Sequence, residues 1–138
     1  MEIDLKMYLG KWYEIARINN DFEPNLTNVI AQYNLNDDNT IQVINSGYIN
    51  DQYIQIIGTA ITTSNNSILK VSFFSNIYTE YKILAIDKNY QYALIGGINK
   101  NHLWILARQP SIHRNILNSF IEVAKKYEYN TDKLVITN

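Results

Sequence analysis

Cysteine is absent from the 138 residues, which excludes disulfides, thiolate nucleophiles and cysteine-ligated zinc. The absence leaves the redox compartment open, because a protein without thiols is stable in either environment. Basic excess is also missing. Twelve Lys and Arg against 13 Asp and Glu leave a formal charge of −1, scattered and without a basic stripe interleaved with aromatics. No nucleic-acid partner is therefore expected. No apolar run approaches the ~20 residues of a bilayer-spanning helix. Met1-Glu2-Ile3-Asp4 has neither a basic n-region nor an apolar h-region, so no signal peptide is expected in this chain. His102 and His113 fall on different elements without metal-ligand spacing, and no Ser-His-Asp order is present. The expectation is thus no catalytic residue, no metal and no cofactor.

What remains is a globular composition, 46% hydrophobic and 18% charged, in a chain of one-domain length. Glycine and proline are rare, while isoleucine, valine and tyrosine abound, which suits pleated and half-buried surfaces. Apolar-rich runs recur about every 8–12 residues, the spacing of an all-β sandwich or barrel. They span Trp12 to Ile18, Val29 to Leu35, Ile41 to Tyr48, Tyr53 to Thr62, Ile68 to Phe74, Tyr81 to Asp87, Tyr92 to Gly97 and His102 to Arg108. Clusters such as Asn36-Asp37-Asp38-Asn39, Asn50-Asp51-Gln52 and Ser64-Asn65-Asn66-Ser67 read as hairpin turns, since Asn and Asp tolerate left-handed backbone. Asn19 to Asn28, with Pro24 inside it, is too long for a tight hairpin and is expected to form a lid over an opening.

After Arg108 the period changes. Ile112, Ile116, Leu117, Phe120, Val123, Ala124 and Tyr127 follow helical spacing, predicting an amphipathic helix over about 111–127. Ser111 is placed in its N-cap neighbourhood, and Lys125-Lys126 suit its C-terminal end. Leu134 to Ile136 can add a short strand. Residues 1–138 thus read as one all-β domain: eight up-and-down antiparallel strands over about 10–108, then an outer helix. Eight strands can close around one small ligand, although strand count alone leaves a sandwich open.

Three segments carry a family resemblance. Gly10-Lys11-Trp12-Tyr13-Glu14-Ile15-Ala16-Arg17 resembles the first-strand signature of the lipocalins. Ala85-Ile86-Asp87-Lys88-Asn89-Tyr90 falls at their second signature, between the sixth and seventh strands, and Leu103 to Arg108 is similar to the third. The similarity covers about Tyr8 to Ile136, and Leu69 to Phe74 together with Tyr8 to Arg17 look specifically like bacterial lipocalins and apolipoprotein D. The resemblance implies a barrel, with Gly10, Trp12, Asp87 and Arg108 as structural residues. Trp12 would lie across the closed end, with the Arg108 guanidinium on its indole face.

Strand alternation then assigns the interior. If Trp12 points inward, Glu14 and Ala16 follow; if Arg108 does, so do Leu106, Trp104 and His102. Tyr33 with Ala31, Asn45 with Val43, Leu69, Val71 and Phe73, and Tyr81 with Ile83 are further candidate walls. The resemblance singles out Tyr33, Asn45 and Trp104 as ligand contacts. The full candidate ligand-binding set is Tyr33, Asn45, Phe73, Tyr81, Ile83, His102 and Trp104. No arginine pair is expected inside to clamp a carboxylate, and Glu14 is expected to bond a tyrosine hydroxyl or a water near the base.

The resemblance implies a carrier of a small hydrophobic molecule, a fatty acid or lysophospholipid. Two other readings stay open: an enzyme acting on a lipid on the same scaffold, and a barrel with a vestigial cavity whose surface mediates protein contacts. Fatty-acid-binding proteins carry their helix pair early, whereas the helical segment here comes last. Self-association as a homodimer is a further expectation from bacterial relatives. Membrane association would require a leader or lipid anchor absent from this chain. The resemblance then points to the cell envelope if such a leader was removed, and otherwise to a soluble cytoplasmic protein.

Overall fold

The computed structural model describes residues 2–18, 26–74 and 77–137. A single helical turn, α1 (Leu5–Tyr8), leads into eight antiparallel strands: β1 (Gly10–Ile18), β2 (Thr27–Leu35), β3 (Ile41–Ile49), β4 (Gln52–Thr62), β5 (Ile68–Phe74), β6 (Ile77–Ile86), β7 (Tyr92–Gly97) and β8 (Leu103–Ala107). Helix α2 (Arg114–Lys126) and strand β9 (Leu134–Ile136) follow. Asn50 and Asp51 both adopt positive φ, 49° and 65°, the pair of left-handed residues that lets a two-residue turn follow the strand twist. At Asn39, φ is 69°, and its N–H donates to the carbonyl of Asn36. The expected lid falls mostly on residues 19–25, outside the described residues; its last residues, Thr27 and Asn28, already belong to β2.

Each strand pairs with its sequence neighbour, and β1 closes the ring by pairing with both β2 and β8. Its first half runs from Gly10↔Tyr33 to Tyr13↔Ile30; its second half meets β8 from Tyr13↔Ala107 to Arg17↔Trp104. A sheet bonded to itself around the whole circuit is a barrel, which settles the sandwich alternative. Beyond Tyr13 the β2 side of β1 is taken by β9, from Ala16↔Ile136 to Ile18↔Leu134. That leaves no bare edge along this part of β1.

Two apolar clusters follow from this closure. One fills the barrel with Trp12, Val43, Leu69, Val71, Ile83, Ile95 and Leu106. The other lies outside, where Phe120 and Ala124 of α2 cover Leu84, Leu94, Leu103, Ile105 and Ala107. Strands β7 and β8 are therefore buried on both faces, which is why Ala93-Leu94-Ile95 and Leu103 to Ala107 are continuously apolar. Gly96 sits where α2 leads into the terminal strand: a Cβ there would strike the Tyr129 hydroxyl, which donates to the carbonyl of Gly97 at 2.8 Å.

Several expected boundaries move. Helix α2 begins at Arg114 and is capped by His113, whose side chain accepts from the Asn115 N–H at 3.1 Å, not by Ser111. Ile112 and Leu117, flanking this cap, both pack on the outer cluster, and such a staple sets the helix entry there. Strand β6 starts at Ile77, four residues before Tyr81, because Ile77 already pairs with Phe74 of β5. His102 and Arg108 fall just outside β8.

The largest correction concerns β1. A bulge between Glu14 and Ala16 breaks the register against β8. The inserted residue reverses the facing beyond it. Ala16, expected inside, is completely buried in the outer cluster beneath α2 together with Ile15. Arg17 turns inward instead, in register with Trp104.

Candidate ligand-binding site

The barrel floor is built from α1 and the start of β1. Asp4 caps α1 by accepting from the Lys6 N–H at 3.0 Å, and the turn carries Tyr8 beneath the barrel. Trp12 has no exposed surface; its Nε1–H donates to the Tyr8 carbonyl at 2.8 Å. The Arg108 guanidinium lies 3.6 Å from the Trp12 ring centroid. Its nitrogens donate to the carbonyls of Lys11 (2.8 Å), Met7 (2.9 Å), Leu9 (3.1 Å), Tyr8 (3.2 Å) and Tyr90 (3.0 Å). One planar fork thus ties the last strand to α1, β1 and the β6–β7 turn. Gly10 takes φ +102° beside it, a conformation that side chains rarely adopt. Asp87 organises the adjoining turn: its Oδ1 accepts from the N–H groups of Gln91 (2.7 Å) and Tyr92 (2.8 Å).

Burial raises the Tyr8 phenol well above its ordinary range, and the neighbouring Tyr33, which hydrogen-bonds it, adds to the shift. The Tyr8 and Tyr33 rings lie 5.0 Å apart, so the floor is continuous with the wall above it. Burial also lowers the Arg108 pKa from its ordinary value, with Tyr8 and Asp87 opposing the change.

Above this floor is a cavity of about 40 Å³. Its apolar walls are Val29, Ala31, Ile95 and Leu106; Glu14, Tyr33, Asn45, Tyr81 and Trp104 supply the polar atoms. Tyr81 and Trp104 are stacked, their centroids 5.0 Å apart and their planes 10° from parallel. Strand β8 descends from the open end, so this pair stands near the top of the cavity.

The structure thus brings four of the seven candidate residues to one cavity: Tyr33, Asn45, Tyr81 and Trp104. Phe73 and Ile83 pack in the inner core without bordering it. His102 leans on Trp104 at 6.3 Å between centroids, nearer the open end and off the cavity wall. Val29 and Ile95 were missed, although the alternation Val29-Ala31-Tyr33 already contained the first of them. Tyr8 was missed because a four-residue helix has no period to read.

Arg17 also escaped the alternation argument, and it changes the electrostatics. Its Nη1 donates to Glu14 Oε2 at 2.6 Å, with both side chains 2% exposed. Its Nη2 donates to the Leu26 carbonyl at 2.8 Å. Glu14 Oε2 further accepts from the Thr137 hydroxyl at 2.9 Å. Glu14 is therefore held by Arg17 and Thr137. A buried pair survives because each charge is matched and hydrogen-bonded; removing one partner is costly. Two adjacent apolar residues, Ile15-Ala16, were the one sign in the sequence that the alternation breaks here.

Among the described residues no group of three or more His, Cys, Asp or Glu could hold a metal ion, and no helix is long and apolar enough to cross a membrane.

A profile of the lipocalin-like domain matches residues 3–138. The chain is 39% identical over 139 residues to the outer membrane lipoprotein Blc of Vibrio cholerae, covering 97% of this chain and 81% of that one. It is 29% identical over 146 residues to apolipoprotein D of Bos taurus, covering 98% and 76%. Among solved structures, the major allergen Per a 4 from cockroaches has a TM-score of 0.77 at 25% identity, covering 99% of this chain and 88% of that one. With the closed barrel, the Trp12–Arg108 floor and a family match spanning nearly the whole sequence, this chain belongs to the lipocalins, whose members are generally binding and transport proteins for small hydrophobic ligands.

Proposed function

We propose that this barrel binds and stores or transports an acyl lipid, a fatty acid or lysophospholipid, in its cavity. The observation that carries the reading is a mostly apolar internal space, sealed below by Trp12, Arg108 and Tyr8 and bordered towards the open end by the Tyr81–Trp104 stack. Apolar walls with a few placed polar groups are the usual character of a small-molecule site. The present volume of about 40 Å³ suits two or three waters at about 15 Å³ each. An acyl chain therefore enters as the stacked pair parts. About ten buried methylenes, at about 0.8 kcal/mol each, match the roughly 8 kcal/mol of a micromolar complex before ordering costs.

Displacement of an environment-sensitive fatty-acid probe tests this. Fatty acids or lysophospholipids compete at micromolar concentration, and Trp104→Ala alters the affinity. If neither class competes, lipid carriage is wrong. The small volume favours one other reading, a barrel with a vestigial cavity that acts through its outer surface. Absence of any competitor, together with self-association in solution, supports that reading instead.

A further inference from the structure

Glu14 lines the cavity while being almost wholly buried, an expensive place for a carboxylate unless it is held. Among the described residues it is the one formally charged group on the cavity wall. Its counter-charge lies off that wall: the Arg17 guanidinium is directed to Glu14 Oε2 and to the Leu26 carbonyl. Of the ion pair, Glu14 is thus the member that borders the cavity, while Arg17 reaches to the Leu26 carbonyl just ahead of β2. Inside a low-dielectric barrel such a carboxylate acts strongly on any charge placed next to it. Of the other polar groups there, the Tyr33 and Tyr81 hydroxyls and the Asn45 amide can each donate or accept, and the Trp104 indole N–H donates without carrying a charge. Only Glu14 therefore gives the site a sign.

We propose that Glu14 decides which end of a ligand enters: the cavity admits a hydrogen-bond-donating or cationic head such as a hydroxyl, amide or amine, and excludes a carboxylate or phosphate. An anionic lipid accordingly binds tail first, with its head group left in water at the mouth. This deepens the lipid-binding reading and rests on it.

The test is competition by a matched series of one chain length, the fatty acid, the fatty alcohol and the fatty amine, against a neutral fluorescent probe. In the wild-type protein the amine and alcohol outcompete the acid. Glu14→Gln leaves the Arg17 charge inside and shifts the acid-to-amine affinity ratio towards the acid by about tenfold or more, equivalent to about 1.4 kcal/mol. The double variant Glu14→Gln/Arg17→Met removes both charges and brings the ligands to similar affinities. An unchanged ratio in a folded Glu14→Gln protein overturns the inference. A second measurement needs no variant: the carboxyl carbon of a labelled fatty acid bound to wild-type protein is accessible to a water-soluble paramagnetic agent. A carboxyl shielded from that agent also overturns it. If no member of the series competes at all, the lipid-binding reading itself fails and this inference falls with it.

Discussion

Replacing Trp12 with alanine tests whether the signature tryptophan supports the container or selects its contents. Trp12 is wholly buried in the inner core, and truncating such a residue costs about 3–5 kcal/mol. Two further losses place the effect in the upper half of that range. The Tyr8 carbonyl loses its Nε1–H donor at 2.8 Å, and the Arg108 guanidinium loses the ring 3.6 Å beneath it, a contact contributing about 0.5–2 kcal/mol. For a chain of this length each kcal/mol moves the melting temperature by about 3 °C, so Trp12→Ala melts roughly 12–15 °C lower. The cavity wall contains no atom of Trp12, so probe affinity below the melting transition changes little. Thermal unfolding followed by circular dichroism, with probe titration at a temperature where both proteins are folded, reads the two quantities separately. Arg108→Lys is the companion: an ammonium cannot reach five carbonyls set around a planar fork, and the variant loses about 1–3 kcal/mol. A Trp12→Ala protein that keeps its melting temperature and loses its ligand refutes the reasoning.

Other consequences follow from the same contacts. Asp87→Ala leaves the N–H groups of Gln91 and Tyr92 without their carboxylate acceptor and lowers unfolding free energy in urea by about 1–2 kcal/mol, with ligand affinity unaltered. Gly96→Ala drives a methyl group into Tyr129 and destabilises by about 1–3 kcal/mol; adding Tyr129→Ala makes the two effects less than additive, which a double-mutant cycle detects. Because burial raises the Tyr8 phenol above its ordinary value, the unfolded chain releases this proton first. The stabilisation linked to Tyr8 is fully present below a pH of about 10 and is lost as pH rises from there through the native value. Tyr8→Phe should therefore flatten the alkaline fall in stability, and an unchanged slope across that range would show that Tyr8 is not its source.

The pattern of apolar runs and Asn/Asp turns was enough to place all eight barrel strands in order, and the late change to helical spacing located α2 within three residues at each end. Both are local signals: a strand or helix period is written in the side chains that face one core, and it survives whatever the neighbours do. Short elements were another matter. A four-residue α1 has no period, and the preference of Asp4 for a cap was its one local trace.

The cavity shows the same division. Trp104 could be counted inward because it lies on an unbroken strand segment that runs to the signature residue Arg108, whereas Tyr33 and Asn45 were singled out by the family resemblance. Arg17 could not be placed that way. The bulge at Glu14–Ala16 arises where β1 leaves β2 and takes β9 as its neighbour, an event that depends on residues 134–136, far along the chain. Counting by twos put Ala16 inside and Arg17 outside; one inserted residue exchanged them. Composition and period supplied the strand series and its apolar face, while the barrel and its Trp12–Arg108 floor came from the family resemblance. The arginine that pairs with the carboxylate of the cavity lining was decided by tertiary structure, because facing beyond a bulge is set by which strands meet there and not by the residues that carry it.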